Sequence, residues 1–127
     1  MAFIDAASET LTGVWQGLYN DPQGQVSFTA TLMELGPMLS GTTHEDMRGE
    51  EFFAMIEGRR SGRDVRFTKT YDGSGRFNHS LAYEGRLSAG GTEIEGRWSA
   101  SGLNGTFMMI RSGGKSASVA KRAYEEV

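Results

Sequence analysis

The sequence predicts an all-β domain, an antiparallel up-and-down barrel of about eight strands with a short C-terminal helix. Three observations carry that expectation: an unusual glycine-to-proline balance, turn signals at regular intervals, and a period-two alternation of apolar side chains. Glycine supplies 18 of 127 residues and proline 2, yet seven Phe, four Tyr and two Trp are also present. The ordinary glycine share is about 7%, and disordered glycine-rich chains are poor in aromatics. Glycine with aromatics therefore points to tight hairpins and to strands bent sharply enough to need glycine inside them.

The turn signals are Asn20-Asp21-Pro22-Gln23-Gly24, Leu35-Gly36-Pro37, Arg48-Gly49, Ser61-Gly62, Asp72-Gly73-Ser74-Gly75, Ala89-Gly90-Gly91 and Ser101-Gly102. Glycine supplies the positive φ that hairpins demand, and Asn or Asp tolerates it. Seven turns leave eight segments, at the strand spacing of a sandwich or barrel. A flat sandwich with bulges is the alternative architecture.

Each segment alternates as a half-buried strand does. Gly13, Trp15, Gly17 and Tyr19 share one face of the first, and Val26, Phe28, Ala30 and Leu32 one face of the second. The third, near Met38 to Asp46, is polar and ambiguous. Phe52, Ala54, Ile56 and Gly58 align in the fourth; Val65, Phe67, Lys69 and Tyr71 align in the fifth. The sixth aligns Phe77, His79, Leu81, Tyr83, Gly85 and Leu87, the seventh Ile94, Gly96 and Trp98, the eighth Leu103, Gly105, Phe107 and Met109. Glu57-Gly58-Arg59, Glu84-Gly85-Arg86 and Glu95-Gly96-Arg97 repeat one pattern, glycine on the apolar parity between outward charges. A mid-strand glycine costs stability, so its recurrence suggests strands coiled around a narrow barrel with large neighbours to seat.

Residues 1–10 are expected to form an N-terminal arm or short helix, 11–111 the barrel, and 112–127 a C-terminal helix or tail. In the last stretch Val119, Ala120, Ala123, Tyr124 and Val127 fall at helical spacing. Met108 and Ile110, on the outward parity, are what such a helix or a homodimer contact would cover.

Composition excludes several function classes. The chain has no Cys, so disulfides and thiolate metal sites are out. Its two His, His44 and His79, lie far apart and form no ligand cluster, so no metal or other cofactor is expected. The net charge of −3 offers no basic face for nucleic acid. No apolar run is long enough for a signal or membrane span, and the cytoplasm is the expected compartment. No Gly-x-Ser-x-Gly elbow occurs, and the glycine-rich stretches join strand to strand, without the helix N-terminus a phosphate cradle needs. Glu84 and Glu95 alternate with Arg86 and Arg97, which reads as ion pairing on a solvated face rather than a glycosidase pair.

The informative feature is polarity on the inward parity. Lys69 and His79 share it with Trp15, Phe67, Tyr71 and Tyr83. An ammonium inside a barrel is costly unless paired, wet or waiting for an anion. Trp15, Phe67, Lys69, Tyr71, His79 and Tyr83 are therefore the candidate ligand-binding residues, with an apolar wall and an anion-meeting end at Lys69 and His79. The competing reading leaves Lys69 snorkelling at the barrel mouth and the tyrosines capping a filled core.

Gly13-x-Trp15 on a first strand, followed by antiparallel strands and a C-terminal helix, resembles the calycin group of lipocalins, fatty-acid-binding proteins and avidins. The runs Val65–Tyr71, Tyr83–Leu87, Ile94–Trp98 and Gly105–Phe107 look like a group of small bacterial calycin-like proteins, over most of residues 11–111. The resemblance implies a fold and no activity. The polar set with which avidins hold biotin has no counterpart here. Nitrobindin-type haem barrels, which Gly13-Val14-Trp15-Gln16-Gly17 also resembles, use a late His, and none follows residue 79.

The expected function is non-enzymatic binding of a small apolar or amphipathic, anionic-headed molecule inside the barrel. One alternative is a filled barrel serving as a homodimeric interaction module. The other is an enzyme using Lys69 or His79 as acid and base.

Overall fold

The computed structural model describes residues 10–47, 49–71 and 80–111. They form eight strands: β1 (Gly13–Asp21), β2 (Gly24–Leu35), β3 (Met38–Met47), β4 (Glu50–Ser61), β5 (Asp64–Tyr71), β6 (Ser80–Leu87), β7 (Glu93–Ala100) and β8 (Leu103–Ile110). Each pairs antiparallel with the next, and β8 returns to β1, closing the barrel. The closing seam is the shortest ladder, running from Gln16 opposite Ile110 to Tyr19 opposite Phe107. Closure removes every sheet edge, which is how an all-β chain avoids edge-to-edge aggregation. The expected helix at 112–127 and the arm over residues 1–9 lie outside the described residues. Among the described residues no helix is long and apolar enough to cross a membrane.

The expected turn at Asp72-Gly73-Ser74-Gly75 lies outside the described residues. The others place Gly24 at the start of β2 and Gly36, Gly49, Gly62, Gly91 and Gly102 between strands, all at positive φ, as expected. Ala100 pairs with Leu103 across a two-residue loop, in which Ser101 has φ 40° and Gly102 φ 85°. Two consecutive positive φ angles match the twist of the flanking strands. The period-two parity also holds along β1, β2, β4 and β5, whose expected inward side chains are buried, Gly58 only partly and Gly13 at the β1 end excepted.

Three expectations need correction. The ambiguous third segment is a full strand, β3, and it sends Leu39, Thr43 and Glu45 inward. Leu103, read as inward, is 51% exposed because it begins β8 at the barrel rim. Ile110 holds the outward parity but is only 3% exposed, and Met108 is half-buried.

Glycine inside the strands answers to close approach. Gly96 lies opposite Gly85, and a Cβ added at Gly96 would collide with the Glu84 carbonyl oxygen and the Gly85 Cα. Gly17 leaves the space that the Phe28 ring fills. Backbone cannot retreat as a side chain can, so Gly96→Ala is expected to cost about 3 kcal/mol or more. A urea midpoint that changes by less than the equivalent of about 1 kcal/mol would contradict this tight crossing.

The two barrel ends differ. At the end where β1 begins, Leu11 is fully buried as a plug. Its amide donates to Glu34 Oε1 at 2.7 Å, and its carbonyl accepts from Trp15 Nε1 at 2.9 Å. Arg60 Nη1 meets the same Glu34 oxygen at 3.1 Å. The Arg111 guanidinium lies 4.6 Å from the Trp15 ring centre and donates to the Thr10 carbonyl. This end is shut by side chains whose polar groups are satisfied. The opposite end, where β1, β3, β5 and β7 finish, holds a cavity.

Candidate functional site

The cavity has a volume of about 360 Å³ and lies at the open end. Tyr19 from β1, Tyr71 from β5, Leu81 from β6 and Trp98 from β7 form its wall. Met47, Ala100 and Leu103 extend the apolar surface, and Asp21 and Ser101 stand among the lining groups. These residues meet because each ends or begins an adjacent strand on inward parity. Trp98 is fixed there by its indole N–H, which donates to the Asn20 carbonyl at 2.9 Å. Two further hollows, of about 460 and 390 Å³, lie between strands at Gly96 and carry charged side chains of the outer wall.

Below the apolar cavity the barrel core is polar. Glu45 on β3 and Lys69 on β5 point inward, with side-chain exposures of 0% and 1%. Lys69 Nζ lies 3.2 Å from Glu45 Oε1 and 3.4 Å from Oε2. Tyr71 donates its hydroxyl proton to Glu45 Oε1. Tyr19 Oη is 3.4 Å from Tyr71 Oη, and since the Tyr71 proton is engaged, Tyr19 is the donor of that pair. The ammonium is ringed by aromatics, with Nζ 4.7, 5.0, 5.1 and 5.7 Å from the ring centres of Tyr19, Phe28, Tyr71 and Tyr83. Ring quadrupoles favour a cation over their faces, most when it is desolvated.

Burial sets the titration of this group. It pushes the Lys69 ammonium below its ordinary value, while the Glu45 carboxylate pulls it part of the way back. Burial raises the phenols of Tyr19, Tyr71 and Tyr83, and the negative charge on Glu45 raises all three further. Two buried hydroxyls, Tyr83 Oη and Thr43 Oγ1, have no hydrogen-bond partner among the described residues.

The six residues singled out from the sequence occupy different places. Among the described ones, Tyr71 alone lines the cavity. Lys69 lies one inward step below it along β5, and Phe67 a further step below. Phe67 stacks on Tyr83 with ring centres 4.8 Å apart. Trp15 belongs to the shut end, under Arg111. His79 lies outside the described residues. The inward Lys69 is paired, and its partner is Glu45 rather than an awaited anion.

Glu45 is the residue that sequence reasoning missed. The signal for it was chemical: an inward lysine needs a counter-charge, and Glu45 shares the parity of Leu39 and Thr43. Among the described residues no group of His, Asp and Glu could hold a metal ion. His44 is exposed, stacks on Phe53 at 4.8 Å and lies 3.5 Å from Glu51. The outer charges pair as expected of a solvated face, Arg86 with Asp64 at 3.0 Å and Arg66 with Glu84 at 3.8 Å. Exposed pairs of this kind contribute little.

No protein-family model and no curated protein matches the chain. Among solved structures, a redesigned β-barrel superposes with a TM-score of 0.70 at 18% identity, covering 85% of this chain and 96% of that one. At that identity the similarity is one of fold: an eight-stranded antiparallel barrel.

Proposed function

We propose that the protein is a calycin-like barrel that binds a small, largely apolar molecule in its open end, as a binding protein rather than an enzyme. The observation that carries this reading is the contrast between the ends. One is plugged by Leu11 and sealed with satisfied polar groups, while the other keeps a cavity of about 360 Å³ walled by Tyr19, Tyr71, Leu81 and Trp98. Small-molecule sites are concave, mainly apolar and furnished with a few convergent polar groups, in volumes of about 300–1,000 Å³. The polar groups here are the two phenols at the floor, together with Asp21 and Ser101. Because Glu45 already meets Lys69, an uncharged hydroxyl or carbonyl suits the floor better than a carboxylate. Trp15 and Phe67 then act as supporting core, and Lys69 and Tyr83 set the field beneath the ligand.

The test is native mass spectrometry of the protein from its own source, with calorimetric titration of 2-naphthol and 2-naphthoate into the stripped protein. A small mass lost on denaturation is expected, together with binding of the alcohol at least five-fold tighter than that of the carboxylate. Ala100→Phe, which fills the mouth, should weaken the alcohol at least ten-fold without lowering Tm. No bound mass and no titration heat with either compound would overturn the reading.

A homo-oligomeric module is the second reading, favoured by one observation. Met33, Leu35, Met38, Phe53 and Met55 are exposed on the outer face of β2, β3 and β4. That wall, rather than Met108 and Ile110, carries the exposed apolar surface. A sedimentation experiment giving a dimer that Met55→Lys dissolves would favour this reading.

A further inference from the structure

We propose that the Lys69 amine is a covalent capture group, forming a reversible imine with a small aldehyde whose apolar body fills the open-end cavity. This rests on the reading of that cavity as a ligand site, and it names the ligand's reactive end. The placement comes first. Lys69 is the next inward residue below Tyr71 on β5, and Nζ lies 4.7 and 5.1 Å from the ring centres of Tyr19 and Tyr71. Those two phenols are the cavity floor. Their hydroxyls are hydrogen-bonded to each other at 3.4 Å, so an aldehyde reaches the amine, the next inward group, by displacing the Tyr19 hydroxyl from Tyr71.

Imine formation needs a neutral amine, an acceptor for its proton and a donor for the departing oxygen. Glu45 Oε1, 3.2 Å from Nζ, serves both proton steps. The ammonium passes one proton to Glu45, and the free amine attacks the carbonyl carbon, forming the C–N bond as the C=O π bond breaks. The alkoxide then takes a second proton from the attacking nitrogen to give the carbinolamine. The protonated Glu45 returns that proton to the carbinolamine hydroxyl, the C–O bond breaks and water leaves. The sum is ammonium plus aldehyde giving protonated imine plus water, with charge conserved and no oxidant or reductant required. The protonated imine keeps its positive charge, so Glu45 retains its counter-ion and the rings retain their cation. Beside the amine stands Tyr83, its ring centre 5.7 Å from Nζ, with a buried hydroxyl that has no hydrogen-bond partner among the described residues. Burial lowers the Lys69 ammonium from its ordinary value, which makes the neutral amine easier to reach than at a solvated lysine.

The chain has three lysines, Lys69, Lys115 and Lys121, so the site of capture is read directly from peptide masses. The full chain is incubated at pH 7 with less than one equivalent of 3-phenylpropanal, reduced with cyanoborohydride, digested and mapped. Lys69 is expected to carry at least ten-fold more adduct than Lys115 or Lys121. Excess 3-phenylpropan-1-ol should suppress the Lys69 adduct at least five-fold, and glyceraldehyde should show no preference for Lys69. Lys69→Arg, which keeps a cation beside Glu45, should lose the adduct while the labelling of Lys115 and Lys121 stays unchanged. Adducts on Lys115, Lys121 or the amino terminus with Lys69 unmodified would overturn the proposal. If the alcohol still binds in that case, the cavity reading stands and only the imine falls. If the alcohol does not bind either, both fall together.

Discussion

Replacing Glu45 by Leu is expected to destabilise the fold by about 3–5 kcal/mol, the range for breaking a buried ion pair from one side. The cost arises from what remains. Lys69 would keep its charge or lose its proton at a site where its side chain is 1% exposed, with only ring faces around it. The Tyr71 hydroxyl would lose its acceptor in the same step. Lys69→Met alone should be similarly harmful, because it leaves a buried carboxylate held by one phenol. The double variant Glu45→Leu with Lys69→Met removes both charges, and buried pairs replaced by apolar side chains of similar volume are often neutral or better. Its stability should therefore return to within about 1 kcal/mol of wild type, after allowing for the stranded Tyr71 hydroxyl. Urea unfolding of the four proteins gives the coupling energy directly. Additive single losses would show that Glu45 and Lys69 do not depend on each other, and the polar core described above would be wrong.

The second large effect is alkaline unfolding. Tyr19, Tyr71 and Tyr83 all have folded pKa values raised above their ordinary value, chiefly by burial and then by the Glu45 charge. A raised folded pKa gives stability that is intact below the unfolded value and is lost as pH rises past it. From about pH 10 upward the unfolded chain releases protons that the folded chain retains. Three such groups give a slope approaching 4 kcal/mol per pH unit, at about 1.36 kcal/mol per proton. Lys69 acts in the opposite sense. Its folded pKa is lowered, so the unfolded chain holds that proton more firmly, and stability rises with pH until the ordinary lysine value is reached. Between them, stability should climb through the mildly alkaline range and then collapse steeply above about pH 10. The check is urea unfolding at stepped pH, with phenolate absorbance followed alongside. Three of the four tyrosines should ionise only together with unfolding. Phenolate appearing smoothly while the fold persists would contradict their burial.

How much of this was legible in the sequence is best judged strand by strand. Along β5, the alternation of Val65, Phe67, Lys69 and Tyr71 with charged or hydroxyl side chains leaves one consistent assignment, and the structure follows it. Along β3 the inward residues include Gly41, Thr43 and Glu45, and the outward ones Ser40, Thr42 and His44. Both faces are similarly polar, so periodicity carries no contrast and Glu45 stayed hidden. The Gly58, Gly85 and Gly96 repeat was readable as a need for room. That Gly96 crosses Gly85 against backbone, while Gly17 seats the Phe28 ring, depends on register.

The sequence by itself determined the strands, their turns and which side chains of most strands face inward, because these follow from local conformational preference and a two-residue period. Tertiary structure alone decided three further matters. It brought Glu45 to Lys69 across the barrel, 24 residues apart in the chain. It placed Leu11 at one end and a cavity at the other, and it seated Trp15 under Arg111 rather than in the cavity wall. The physical reason is closure. Once β8 pairs with β1, every inward side chain shares one narrow space, and which groups meet there is set by strand order and stagger rather than by spacing along the chain.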